Sequence, residues 1–445
     1  MIKMNYKDRK KYFVLVYLLI GIILNGYAQI EPVLINEDKS VTISYYNKNA
    51  KEVYLKGTFL NKGFKVKTPV GSFGKGRKIK MKNEGNGYWS YTSESLPSEL
   101  YWYHFIINDD SIKIDERNTN VVRDINTWYN FFIVEDGIAD KYIDLKQKNG
   151  KLQYVWYPSS LKGMTRRRMA VYTPYQYERN KTTRYPVLYL LHGSGGDETA
   201  WTNCGRLVQI MDNMIYLGLC KPMIVVMPNG NVNLAAAPGE DPNNPNVIPS
   251  GNNTSSMFGK IENVFVSEIV SFIDANYRTL TQKTDRAIAG LSLGGLHTLY
   301  TSLNNPDTFS HIGLFSAQTT NALDDESIGN IKGLGKTWSN IKKQLPFIGG
   351  GSLDRKILKI AGDGSNSDLE IYEQFDLKLK SLFEKSPTLF YIAVGRDDFT
   401  KKLNDDLRKK LDANHYKYIY NESDGGHTWD NWRKYLIDFL PKLFL

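Results

Sequence analysis

Two hydrophobic patterns succeed each other along the chain, and they predict two different kinds of domain. Up to residue 134, apolar and polar positions alternate in short runs at residues 41–45, 52–55, 88–91, 101–107 and 128–134. Glycine and asparagine separate these runs. Alternation with a period of two is typical of half-buried strands, and short strands at regular spacing are typical of a β-sandwich. The first part of the chain is therefore predicted to be an all-β sandwich.

After a polar segment at residues 135–140, the pattern changes. Nearly continuous apolar runs at residues 186–191, 223–227, 286–289, 312–315 and 389–394 alternate with stretches of helical spacing such as residues 265–276. Strands that are apolar at every position are buried on both faces, as in a parallel sheet covered by helices. The second part is therefore predicted to be an α/β domain, in which ligands bind beyond the carboxyl ends of the strands.

The first residues have the pattern of a secretory signal. Lysine and arginine between residues 3 and 11 precede an apolar run at residues 12–23, and Gly26 and Ala28 bracket a cleavage point before Gln29. The run is shorter than the about 20 residues that span a bilayer. The predicted organisation is a signal peptide at 1–28, a β-sandwich at 29–137, a linker at 138–150 and an α/β domain at 151–445. A secreted or periplasmic protein without a stable membrane anchor is expected.

Composition narrows the function classes. The 445 residues are 41% hydrophobic and 23% charged, which is ordinary for a globular protein of two or three domains. The net charge of +10 is scattered along the chain, so it predicts a solvated surface and no nucleic-acid site. No CxxC spacing or histidine-rich cluster suggests a metal, and no cofactor is expected. Cys204 and Cys220 are the only cysteines, and pairing and free thiols both remain open.

Candidate chemistry begins with Gly290, Ser292 and Gly294. They form a G-x-S-x-G motif between a short apolar strand and an apolar helix. A serine on a sharp strand-to-helix turn leaves no room for neighbouring side chains, which explains the glycines. The turn exposes the hydroxyl at the carboxyl edge of the sheet, so Ser292 is the predicted nucleophile of a hydrolase.

A serine nucleophile needs a base within hydrogen-bond reach. In hydrolases that carry a G-x-S-x-G turn on an α/β sheet, the order along the chain is serine, acid, histidine. The six histidines are His104, His192, His297, His311, His415 and His427. His427 follows a predicted strand at residues 416–420, and the glycines before it allow its loop to fold over the sheet edge. The others lie in the first domain, before the serine, on the following helix or at the wrong end of a strand. His427 is therefore the predicted base.

The acid is expected in the loop after the preceding strand, where it can orient the imidazole. Asp397 and Asp398 follow the strand at residues 389–394, and Asp363, after the run at residues 357–360, is the rival. Position favours the pair Asp397 and Asp398, and does not choose between them.

Hydrogen-bond donors for a developing oxyanion are also expected. One is the N–H of Leu293, next to the nucleophile. The other is the N–H of Ser194, in the glycine-rich segment at residues 191–197 that follows the first long strand. Its glycines match neither dinucleotide nor P-loop spacing, which argues against a phosphate loop.

Several spaced motifs resemble one family. From about residue 151 onward the chain is similar to the feruloyl and acetyl-xylan esterases of carbohydrate esterase family 1, close to the enterochelin-esterase-like group. The motifs lie at residues 190–201, 290–295, 305–309, 395–399 and 425–433. The resemblance implies an α/β-hydrolase fold, a Ser-His-Asp triad and an acyl-enzyme. It also places the acid on Asp398, three residues after a glycine.

The first domain resembles the immunoglobulin-like, CBM48-type module found ahead of such esterases. Contact with a glycan and a packing role are both open for this module. The chain departs from the family pattern in two irregular segments, at residues 234–257 and 319–353. Both segments could overhang the pocket and so affect substrate size.

The resulting hypothesis is a secreted serine esterase acting on feruloyl or acetyl esters of an arabinoxylan-type polysaccharide. Trp201, Asn229, Trp429 and Trp432 are candidates for lining the substrate pocket. An acyltransferase, or an esterase for a siderophore or small metabolite, is the alternative that the irregular segments suggest. A carbohydrate-binding protein with a relic esterase domain is a third possibility. The sequence does not separate feruloyl from acetyl substrates.

Overall fold

The computed structural model describes residues 31–61, 66–68, 71–73, 77–108, 111–145, 149–161, 163–241, 259–319 and 370–445. The predicted signal peptide, most of the two irregular segments and the rival acid Asp363 lie outside these residues. The chain divides into two compact units. The described part of the first covers residues 31–56, Lys78–Pro97, 104–108 and 111–119, and the second takes in the described residues within Gly57–Arg77, Ser98–Tyr103 and Asn120–Leu445. Because the second unit includes segments on both sides of residue 137, the single domain boundary there stays a prediction.

The N-terminal region is all-β, as predicted. Its strands are β1 (Val33–Ile35), β2 (Val41–Tyr46), β3 (Val53–Gly57), β4 (Val66–Thr68), β5 (Gly71–Phe73), β6 (Lys78–Lys80), β7 (Lys82–Gly85), β8 (Tyr88–Thr92), β9 (Glu99–Ile107), β10 (Ser111–Lys113), β11 (Val121–Asp124) and β12 (Thr127–Val134). Short 3-10 turns lie at Thr58–Asn61 and Ile138–Lys141.

The first unit contains an antiparallel sheet of order β1-β2-β8-β7. The alternation in β2 decides which side chains are buried: Val41 and Ile43 are fully buried, and Tyr45 stacks on Phe105 with ring centroids 4.2 Å apart. Within the same unit, β3 pairs with β6 and the end of β9 pairs with β10. The period of two read from the sequence therefore corresponds to an inward face and an outward face.

The second unit contains an eight-stranded sheet of order β13-β14-β16-β15-β17-β18-β19-β20. Its strands are β13 (Lys151–Pro158), β14 (Arg166–Thr173), β15 (Val187–Leu191), β16 (Ile224–Pro228), β17 (Arg286–Leu291), β18 (His311–Phe315), β19 (Leu389–Gly395) and β20 (Ile419–Ser423). Strand β14 is antiparallel to both of its neighbours, β13 and β16. All the pairs from β16 through β15 to β20 are parallel. In the same unit, β11 pairs with β12, and β12 pairs with the start of β9.

Helices cover both faces of this sheet. They are α1 (Ala200–Asn203), α2 (Leu207–Tyr216), α3 (Lys260–Val264), α4 (Ser271–Asn276), α5 (Leu293–Asn304), α6 (Phe375–Glu384), α7 (Lys401–Ala413) and α8 (Trp429–Phe439), with 3-10 turns at Lys283–Asp285 and Leu440–Lys442. Val187 and Tyr189 pack into the core with α5 and α6, whereas Leu188 and Leu190 pack into the core with α2 and α8. The strands are therefore apolar throughout because each face meets a layer of helices.

Two predicted elements differ in detail. The helix expected at residues 265–276 contains a π-helical segment, Phe265–Val270, before α4. The strand expected at residues 416–420 begins only at Ile419, because the Tyr416 ring stacks on Phe383 of α6, 4.2 Å away, instead of extending the sheet. A π turn admits an extra residue without exposing the buried face, and a stacking partner on another helix leaves no local pattern, so neither difference was visible in the spacing.

Three observations concern covalent links, metals and membranes. Cys204 and Cys220 are both free thiols. Among the described residues, no cluster of three or more histidine, cysteine or carboxylate side chains could hold a metal ion. In that same part of the chain, no helix has both the length and the apolar character needed to cross a bilayer.

Candidate active site

Ser292 occupies the turn between β17 and α5. Its backbone has φ 54° and ψ −118°, a region that side chains rarely adopt and that costs roughly 1–3 kcal/mol. The Ser292 N–H donates to the Phe315 carbonyl at 2.9 Å, and the Ser292 carbonyl accepts from Gln318 at 3.0 Å. Neighbouring backbone therefore maintains the strained turn, which is what a nucleophile elbow requires.

Gly294 explains why the motif needs glycine. A Cβ atom built there would lie 2.4 Å from the His192 carbonyl oxygen and 2.6 Å from the Leu191 carbonyl oxygen. These are backbone atoms, so they cannot rotate away. The start of α5 and the segment after β15 thus approach each other closely.

His427 lies beside Ser292, the predicted nucleophile. Its Nε2 is 2.9 Å from Ser292 Oγ, although the two residues are 135 positions apart in the sequence. Phe399 packs on the imidazole with ring centroids 4.3 Å apart, and Trp432 meets it edge to face at 4.9 Å. The ring is held in place by aromatic side chains from the turn after β19 and from α8.

Asp398 completes the arrangement. Both of its carboxylate oxygens lie 3.0 Å from His427 Nδ1, and Oδ1 also accepts from the N–H and the hydroxyl of Thr400, each at 2.8 Å. Burial alone would raise the pKa of Asp398, but the charge and hydrogen bond of His427, with Thr400, outweigh it and lower this pKa. The carboxylate therefore stays ionised. Of the two candidates, the structure brings Asp398 to the histidine, whereas Asp397 hydrogen-bonds through its N–H to the Gly425 carbonyl at 2.8 Å.

The segment at residues 192–199, which we call the oxyanion loop after its predicted role, lies against Ser292. A Cβ atom on Gly193 would be 3.1 Å from Ser292 Cβ. Leu293 is the first residue of α5, so its N–H has no acceptor within the helix. Ser194, the other predicted donor, follows Gly193 directly and is partly exposed. Both segments that carry the predicted donors thus border the serine.

His192, which the sequence analysis did not select, holds the oxyanion loop from inside. The Gly230 N–H donates to His192 Nε2 at 2.8 Å, so the ring proton lies on Nδ1, which is 2.8 Å from the Gly193 carbonyl. Burial lowers the pKa of His192 to about 4, so the ring is neutral at neutral pH. Its place in the motif after β15 was the only available signal.

The four predicted pocket residues have different environments. Trp201 is 1% exposed and donates to the Leu191 carbonyl at 3.0 Å, and Asn229 is fully buried and accepts the Asn231 N–H through Oδ1 at 2.8 Å. Both side chains thus form hydrogen bonds inside the protein, and contact of either one with a substrate stays a prediction. Trp429 and Trp432 are 9% and 7% exposed and pack on each other near His427.

The arrangement can perform nucleophilic catalysis. A hydroxyl with an imidazole at 2.9 Å, itself oriented by a carboxylate, has the geometry of a Ser-His-Asp system. Together with the mostly parallel sheet and the turn at Ser292, it defines the class: the second unit is an α/β-hydrolase. A family model described as Esterase matches residues 162–443, so the chain belongs to this esterase family.

Individual relatives of the chain are also named as esterases. The chain is 33% identical over 256 residues to an endo-1,4-beta-xylanase/feruloyl esterase of Xylanibacter ruminicola, covering 56% of this chain and 33% of that protein. It is 27% identical over 252 residues to an acetyl esterase of Caldicellulosiruptor saccharolyticus, covering 57% of this chain and 80% of that one. The chain thus spans only a third of the length of the xylanase/feruloyl esterase.

Among solved structures, the enterobactin esterase FES from Shigella flexneri aligns over 91% of this chain and 93% of its own, with a TM-score of 0.57 and 14% sequence identity. This likeness extends beyond the residues that the family model matches. At such low identity it shows a shared fold and does not indicate a substrate.

Proposed function

We propose that this chain is a serine esterase that hydrolyses feruloyl or acetyl esters on a xylan-type polysaccharide, with Ser292, His427 and Asp398 as its triad. The carrying observation is the convergence of these three side chains, with contacts of 2.9 and 3.0 Å. The substrate class is supported by the relatives, whose names include a feruloyl esterase and an acetyl esterase. The proposal includes export by the predicted signal peptide at residues 1–28, and relatives named xylanase are consistent with a polysaccharide substrate outside the cell.

The proposed reaction uses these three side chains in order. His427 Nε2 takes the proton of the Ser292 hydroxyl as Oγ attacks the ester carbonyl carbon. The tetrahedral oxyanion is stabilised by the N–H groups of Leu293 and Ser194. The C–O bond to the sugar then breaks, His427 gives its proton to the leaving alcohol, and an acyl-enzyme remains. Water attacks this ester with the same base, which releases the carboxylic acid and restores the serine.

Loss of the nucleophile tests the chemistry. We expect Ser292→Ala to lower kcat for 4-nitrophenyl acetate by roughly 10⁴- to 10⁶-fold, since the acyl-enzyme can no longer form. Mass spectrometry of the enzyme mixed with an excess of substrate should show an acyl adduct in the wild type only. A variant that keeps the wild-type rate would refute the assignment.

Substrate choice needs a separate assay. Methyl ferulate, acetylated xylan and 4-nitrophenyl acetate are compared with the same enzyme preparation, and feruloylated arabinoxylan serves as the polymeric substrate. Release of ferulate or acetate from the polymers supports the proposed substrate class. Hydrolysis of 4-nitrophenyl acetate without release from any xylan would retain the triad and reject the polysaccharide.

A further inference from the structure

The turn between β11 and β12 contacts the oxyanion loop. Arg123 of β11 donates from Nη2 to Asp197 Oδ2 at 2.7 Å and to Thr199 Oγ1 at 3.1 Å. Asp197 is 2% exposed, and its other oxygen accepts from the N–H of Thr199 at 2.9 Å and from its hydroxyl at 2.6 Å. This buried ion pair therefore links the hairpin to the end of the loop that carries Ser194.

The tip of the hairpin also packs on the middle of the oxyanion loop. Ile125 has φ 54°, and Arg123 donates to the Ile125 carbonyl at 2.5 Å, which secures the turn. A Cβ atom on Gly195 would lie 3.1 Å from Ile125 Cδ1. Ile125 thus closes the space next to Gly195, two residues beyond the glycine that borders Ser292.

Asp124, the next residue of β11, contacts the first residue of α8, two positions after His427. Asp124 Oδ1 accepts from Trp429 Nε1 at 3.2 Å. The Trp429 indole meets Trp432 edge to face at 5.1 Å, and Trp432 meets the His427 imidazole at 4.9 Å. Adjacent residues of one strand, Arg123 and Asp124, therefore contact the two segments that carry the oxyanion donor and the base.

We propose that the β11–β12 hairpin is a positioning element for the ester hydrolysis. In this role, Arg123 fixes the position of the oxyanion loop and Asp124 fixes the position of the start of α8. The inference rests on the proposed function, because it needs the triad and the oxyanion donors to be those named above. Residues 121–134 precede the part of the chain that the Esterase family model matches. An oxyanion donor stabilises the transition state only if it is already in place when the charge develops. A shift of the oxyanion loop should therefore reduce the stabilisation of the transition state more than it reduces the binding of the substrate.

The test uses the full chain and Arg123→Gln. Removing one partner of a buried pair leaves the Asp197 charge uncompensated, so the oxyanion loop should shift. We expect kcat for 4-nitrophenyl acetate to fall about 10- to 100-fold while KM changes by less than about threefold. Arg123→Lys keeps the charge and should recover part of kcat. Adding Asp197→Asn to Arg123→Gln should cost less than the sum of the two single effects, because the residues act as one unit.

Arg117→Gln is the matched control. Arg117 forms a comparable ion pair with Asp115 at 2.7 Å in the first unit, so its loss should leave kcat unchanged. If Arg123→Gln does not fold, Asp124→Ala is compared with Asp124→Asn, which keeps an acceptor for Trp429 and should retain more activity. Folded Arg123→Gln with the wild-type kcat, alongside inactive Ser292→Ala, overturns the positioning role and leaves the proposed function intact. An active Ser292→Ala overturns the proposed function itself.

Discussion

Replacement of Asp398 by asparagine tests which ring nitrogen of His427 must carry the proton. In the wild type, Asp398 Oδ1 accepts two hydrogen bonds from Thr400, at 2.8 Å each, and both oxygens face His427 Nδ1 at 3.0 Å. In Asp398→Asn, the amide oxygen must remain on the Thr400 donors, which turns the NH₂ group towards Nδ1. Nδ1 then has to accept, so the imidazole proton moves to Nε2 and faces Ser292 Oγ. The histidine can no longer take the proton of the serine.

The expected loss is large because the wrong tautomer disables the base without disturbing the packing. By analogy with the serine-protease triad, kcat should fall about 10⁴-fold, or about 5.4 kcal/mol of barrier. The assay is steady-state hydrolysis of 4-nitrophenyl acetate, with thermal unfolding of both proteins to verify folding. Asp397→Asn is the neighbouring control and should stay within about threefold of the wild type. A folded Asp398→Asn enzyme with less than tenfold loss, or equal losses from both variants, would refute the reasoning.

Further predictions concern packing and pH. Gly294→Ala places a Cβ 2.4 Å from the His192 carbonyl oxygen and should lower both Tm and kcat, whereas Gly230→Ala meets its nearest atom at 3.4 Å and should lower Tm less; equal Tm values would contradict this. His104, His192 and His311 have pKa values lowered from 6.5 to about 4 by burial, so the unfolded chain binds more protons between these values. The free energy of unfolding should therefore fall as the pH drops from 6.5 to 4, with fully buried His192 accounting for about 3 kcal/mol. Calorimetry across this range should show a shallower decline for His192→Asn, and an identical decline would count against the assignment.

Much of the fold followed from local patterns. Strands β15, β17 and β19 were found within two residues of their predicted ends, because buried parallel strands are apolar without interruption. The elbow was readable for a different reason. Its glycines are needed because the turn leaves no room for side chains, so Ser292 could be predicted as the nucleophile before any contact was known.

Other features depended on neighbours that spacing does not reveal. Trp201 and Asn229 looked available for a substrate, yet the structure buries them and uses their polar atoms internally. Tyr416 continued a strand pattern, but its ring found a stacking partner on α6. In both cases the residue type fitted two environments, and packing selected one.

By itself the sequence predicted the alternation of the strands, the proposed nucleophile and the order of serine, acid and histidine. Those are local or topological properties, since hydrophobic period and glycine placement act within a few residues. Only the tertiary structure singled out Asp398 by contact and brought Arg123 to Asp197 and Asp124 to Trp429, pairs that are 74 and 305 residues apart in the sequence. Such contacts depend on how packed elements align in space, and the residues forming them carry no local signal of their partner.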